Sequence, residues 1–223
     1  MSPFQRAVTR PAESVLETNK VLRSTYMLLS ATLLFSAATA GVSVALQPPM
    51  FTGLICSVIA IALIWLVLPK VANSSAGIGV VFAITGLLGF GLGPLLSTFL
   101  AAGAGNIVAL ALGGTGVVFV GLSAYAITTK RDFSFMGGML VAGLIVVLIA
   151  AIANIFLQIP ALSATISSVV ILIMSGFILY DTGRIINGGE TNYITATVSM
   201  YLSIYNIFVS LLQLLSMFGG NDD

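Results

Sequence analysis

Residues 24–69 read STYMLLSATLLFSAATAGVSVALQPPMFTGLICSVIAIALIWLVLP, 46 consecutive positions without an Asp, Glu, Lys or Arg. A helix crosses a hydrocarbon layer ~30 Å thick with about 20 residues, each rising ~1.5 Å. The stretch is therefore long enough to cross twice. Gln47-Pro48-Pro49 near its middle supplies the turn, because proline cannot continue a helix.

Three more uncharged stretches follow, at residues 71–129, 133–180 and 191–221. Ala101-Ala102-Gly103-Ala104-Gly105-Asn106 splits the first of these and Gln158-Ile159-Pro160 the second, while the last has room for one helix. The expected spans are Tyr26–Leu46, Phe51–Leu68, Gly77–Leu100, Ile107–Thr128, Ser134–Leu157, Ala161–Asn187 and Asn192–Phe218. The fold expected is an all-α integral membrane protein, a seven-helix transmembrane bundle over residues 26–218. Residues 1–25 form a tail before it and residues 219–223 a short one after it.

Composition agrees. The 223 residues are 58% hydrophobic and 7% charged, against roughly a quarter charged in soluble domains, and mean hydropathy is +1.13. Every mid-stretch turn is uncharged. Arg6, Arg10, Lys20, Arg23, Lys70, Lys130, Arg131 and Arg184 all fall at alternate helix ends or in the leading tail. Basic residues accumulate on the cytoplasmic side of short loops, so the amino terminus is expected inside and Asn221-Asp222-Asp223 outside. The leading residues carry Glu13 and Glu17 among the bases and no apolar run. They read as a mobile cytoplasmic tail rather than a cleaved signal peptide.

Much chemistry is excluded. With no histidine, neither a Ser-His-Asp relay nor an HExxH zinc site can form. Cys56 has no second cysteine to pair with. A net charge of +1 offers no basic surface to nucleic acid. Tyr180-Asp181 suggests an intramembrane aspartyl protease, but that chemistry needs a second carboxyl on the following helix, which has none.

Small residues allow close helix packing in lipid: Ala37, Gly41 and Ala45 on helix one, Gly89 and Gly93 on helix three, Gly138 and Ala142 on helix five. Pro94 is expected to kink helix three. Gly89-Phe90-Gly91-Leu92-Gly93 sits within an apolar span and is no phosphate loop. The amides of Asn154 and Gln213 read as interhelical glue.

One constellation could carry chemistry. Asp181 is the only acid well inside an expected span, and intramembrane carboxylates mark function unusually often. Arg184 follows at i+3, within pairing range. Ser203 and Asn206 on helix seven reach comparable or greater depth, and Tyr180 and Glu190 complete a polar cluster. Two readings stand: an Asp181–Arg184 pair that locks helix six to its neighbours, or an ion or proton site.

The run Leu179-Tyr180-Asp181-Thr182-Gly183-Arg184-Ile185-Ile186-Asn187-Gly188-Gly189-Glu190-Thr191-Asn192-Tyr193-Ile194 resembles the signature of the transmembrane Bax inhibitor motif family. So does Leu202-Ser203-Ile204-Tyr205-Asn206-Ile207-Phe208. Lys20–Tyr26, Gly91–Pro94 and Ala153–Gln158 resemble its bacterial branch. The resemblance implies seven helices in the bacterial inner membrane and no enzymatic activity or cofactor. It implies a modulator of FtsH, the membrane-anchored protease, acting with HflK/HflC. The tail Met1 to Lys20 would be gripped by FtsH while the bundle resists extraction, making the chain a slow, competing substrate. The alternative it implies is a calcium or other cation leak channel with a pH-sensitive site around Asp181. Some members use two aspartates there, and the second falls on Ser203. A serine holds neither a shared proton nor a second charge for a hard cation.

Overall fold

The computed structural model describes residues 10–219, with side chains from Lys20 onward. Among these residues seven long helices follow one another: α1 Arg10–Leu46, α2 Thr52–Val71, α3 Ala76–Ala101, α4 Gly105–Thr129, α5 Gly137–Leu157, α6 Pro160–Ile186 and α7 Tyr193–Gly219. Each contains a segment long and apolar enough to cross a membrane. A helix satisfies its own backbone hydrogen bonds, which a lipid environment requires.

The turns fall where the breakers stand. Gln47 and Gln158 end α1 and α5 in the left-handed region, at φ +49° and +52°. Each donates its N–H back to the residue four before, Ser43 and Asn154. Pro48 follows at once in the first case and Pro160 opens α6 in the second. α1 extends back past Tyr26 as far as Arg10, where the described residues begin, through the good helix formers Ala12, Glu13, Leu16 and Glu17. Met1–Thr9 of the expected tail, and Gly220–Asp223, lie outside the described residues.

α3 passes through Pro94 as one continuous helix. Pro69 acts differently in α2. It has no N–H for the Trp65 carbonyl, and its ring crowds that carbonyl. The turn before it, Leu63–Val67, widens to π geometry, with Leu68 N–H donating to Leu63 O.

α3 and α7 form the centre and are the most buried spans. α1 lies along α3, α6 against α7, α2 beside α3, and α4 against α6 and α7, while α5 joins the edge through α6. The outer surface carries large apolar residues such as Leu34, Leu54, Trp65, Val117, Phe156 and Leu172. The interior is the more polar side. α1 buries Thr25, Leu29, Thr32, Ser36, Ala40 and Ser43, a stripe at three- and four-residue steps.

That stripe meets α3 at its glycines. A Cβ on Gly89 would collide with Ser36 and Thr39, and one on Gly93 with Ser43, so backbone closeness holds α1 to α3. The expected stripe of Ala37, Gly41 and Ala45 is not this contact; those residues are exposed, and Gly41 has nothing within 4 Å of a Cβ position. Gly138 and Ala142 likewise face outward, and α5 meets α6 through Gly137, Gly143 and Leu140 instead. Ser167 donates to the Gln213 amide at 3.0 Å, joining α6 to α7.

Candidate functional site

Because the helices alternate in direction, Lys20, Arg23, Lys70, Lys130, Arg131 and Arg184 gather at one end of the bundle. Asp181 lies inside that basic end, five residues before α6 stops at Ile186, or about 8 Å deep along the helix. It is 8% exposed.

Its partner comes from α7. Ser199, six residues past the start of that helix, runs level with Asp181 and donates its hydroxyl to Oδ2 at 2.5 Å. Around it, Thr182 meets the Tyr26 hydroxyl at 3.4 Å, and Thr197 donates to Tyr193 O at 2.7 Å and to Thr25 O at 3.4 Å. Three helices, α1, α6 and α7, thus close over the carboxylate.

The expected Asp181–Arg184 pair does not form. Arg184 turns outward along the α6–α7 loop and meets Glu190 at 3.5 Å. It also donates to Gly189 O at 3.0 Å and lies 5.5 Å from the Tyr180 ring centre. Three residues along a helix leave two side chains about 60° apart in projection. Here that rotation sends Asp181 into the bundle and Arg184 to its rim.

Ser203 is buried but donates to Ser199 O at 3.2 Å, one turn deeper than the carboxylate. Asn206, deeper still, donates to Leu202 O at 2.8 Å. Neither is hydrogen-bonded to Asp181. The tail Met1 to Lys20 lies outside the described residues, apart from the helical backbone of residues 10–19 and Lys20 itself.

The signature loop proves to be a fastening point. Asn192 caps α7, its Oδ1 accepting from Ile194 N–H at 2.9 Å and Thr195 N–H at 3.2 Å. Its amide donates to Ala72 O at 3.0 Å and Asn73 Oδ1 at 2.8 Å, reaching the α2–α3 loop. Glu190 Oε1 accepts from Asn192 N–H at 2.9 Å. Asn187 donates to Gly183 O and, at 3.4 Å, to Arg131 O in the α4–α5 loop. Gly188 turns at φ +74°, as the expected glycine cap requires. Sequence reasoning missed Ser199, Asn187 and Asn192. Their position in the signature run was the available signal for the two asparagines.

Chemically, the site offers one carboxylate and one hydroxyl donor in a closed setting. Among the described residues no group of three His, Cys, Asp or Glu side chains gathers. A hard cation such as calcium takes six to eight oxygens.

The family model described as "Inhibitor of apoptosis-promoting Bax1" matches residues 18–220. The chain belongs to the Bax inhibitor family. Within it, the chain is 57% identical over 202 residues to "Modulator of FtsH protease YccA" of Escherichia coli K12, covering 91% of this chain and 92% of that protein. A second Escherichia coli strain has the same degree of identity in a protein called "Inner membrane protein YccA". A Vibrio cholerae "Uncharacterized membrane protein" is 51% identical over 215 residues, 96% of each chain. With seven apolar spans, this Bax inhibitor family member is a multi-pass protein of the bacterial inner membrane. The names of these relatives describe a modulator and membrane proteins rather than enzymes.

Proposed function

We propose that this chain is a non-enzymatic modulator of the FtsH membrane protease, engaging it with HflK/HflC as a slow, competing substrate. The observation that supports the reading is 57% identity, over 91% of the chain, to a protein named as a modulator of FtsH protease. The basic end faces the cytoplasm and the last residues face outward, following the placement of the lysines and arginines.

The bundle's construction supports slowness. A processive protease must draw helices out of lipid in order from a free end. The first span, α1, is held to α3 by glycine-mediated backbone contact and to α7 by Ser36 and Tyr201, 2.6 Å apart. At the cytoplasmic end, Asn192 and Asn187 bind three loops together. The leader Met1 to Lys20 provides the grip in this reading.

The test is turnover by FtsH in native membranes. Deleting residues 2–15 should leave the bundle folded and stop its degradation. Unchanged turnover would remove the leader from the mechanism, and failure of FtsH to co-purify with the full chain would end the reading. The cation-leak alternative has less support, since Asp181 is engaged by Ser199 and the matching position on α7 is Ser203.

A further inference from the structure

The half of the bundle away from Asp181 contains a cavity of about 550 Å³. Its floor is α3 and α7, with Leu96 and Phe208. Its walls are α1, with Ala37 and Gly41, and α4, with Gly116 and Phe119. α1 and α4 do not pack along their lengths, so the cavity opens sideways between them, at membrane depth.

Three features define what it can hold. The lining is largely apolar, and of its four hydroxyls all but that of Tyr205 are engaged elsewhere. Ser36 and Tyr201 bond each other at 2.6 Å, Tyr201 donates to Thr85 O at 3.2 Å, and Thr115 donates to Ala111 O at 2.7 Å. A water needs two to four polar partners, and apolar cavities of even ~150 Å³ stay dry and take up hydrocarbon. The space exists because small residues stand where larger ones would fit, since a Cβ at Gly41 or Gly116 would meet nothing within 4 Å. Finally, the surface flanking the mouth is continuous with the lipid-facing belt, through Leu34 on α1 and Val117 on α4.

We propose that this cavity is a lateral binding site for one acyl chain of a membrane phospholipid, which enters between α1 and α4 from the leaflet opposite the basic end. The chain supplies the packing that α1 and α4 do not give each other. The headgroup stays outside, so acyl shape rather than headgroup charge sets preference.

The test is native mass spectrometry of the full chain released from mild detergent, with Gly41→Leu, Gly116→Leu and Gly121→Leu. Gly121 also has open space at its Cβ but lies outside the lining. One retained phospholipid is expected on the parent chain and on Gly121→Leu, lost from both cavity variants at unchanged helical content. No adduct on the parent, or an adduct that persists in both cavity variants, would overturn the proposal. So would a dimer that only the cavity substitutions dissolve, since a second copy would then fill the space. If the cavity variants misfold, a phospholipid with a diazirine on its acyl chain decides on the parent protein. Labelling of Leu96 and Phe208 supports the site, and labelling confined to Leu34 and Val117 refutes it.

Discussion

Ser199 on α7 donates a hydrogen bond from its hydroxyl to the carboxyl group of Asp181 on α6 at 2.5 Å, making the one buried acid among the described residues part of a helix–helix joint. A buried acceptor that loses its donor bears its own desolvation penalty. Ser199→Ala is expected to destabilise the bundle by about 1–3 kcal/mol. Asp181→Asn/Ser199→Ala should cost less than the two single changes added, because the pair is one unit. Unfolding in mixed micelles, run as a double-mutant cycle, measures this; strict additivity would separate the two residues.

Arg184 should matter little to that joint. Its pair with Glu190 is partly exposed, and such pairs contribute about 0–1 kcal/mol. Arg184→Ala is expected to loosen the α6–α7 loop in hydrogen exchange while leaving global stability nearly unchanged. A loss as large as that of Ser199→Ala would restore the direct Asp181–Arg184 pair.

Asn192 makes the larger contribution in the same loop, as it caps α7 and anchors the α2–α3 turn. Asn192→Ala is expected to cost about 1–2 kcal/mol as a lost cap alone. Faster exchange should extend to residues 72–76 as well as the start of α7. Protection unchanged at residues 72–76 would show that the cross-loop bonds are unimportant.

The glycine seam predicts a sharp positional contrast. A side chain at Gly93 must overlap Ser43, whereas one at Gly79 meets nothing within 4 Å. Gly93→Leu should force α1 from α3, at about 1–3 kcal/mol or more for overpacking. Gly79→Leu should be neutral. In the proposed modulator role, Gly93→Leu should also speed degradation by FtsH.

Calcium flux separates the proposed function from its alternative. In calcium-loaded vesicles the parent chain and Asp181→Asn are both expected to be silent. A flux abolished by Asp181→Asn would favour the leak channel.

The spans and turns were readable because lipid allows few solutions. Uncharged stretches such as residues 24–69, broken by Pro48 and Pro49, leave the backbone no alternative to paired helices. Asp181 was readable as the one acid inside a span. Its partner was not: Arg184 and Ser199 are both near enough along the chain or across the bundle, and the outward turn of Arg184 is decided by loop geometry at Glu190 and Gly189.

The number of crossings, the turns between them and the gathering of basic residues at one end follow from the order of residues alone, because charge and backbone polarity are excluded from hydrocarbon. Which face of each helix turns inward was left to the tertiary structure. In water an apolar face marks the core, but here the outward side is apolar too and hydrophobicity does not point inward, so α1 could have packed through Ala37 and Gly41 as readily as through Ser36 and Ser43. The close fit of Ser36, Thr39 and Ser43 to Gly89 and Gly93 decided it, and left Ala37 and Gly41 to line the cavity open to lipid.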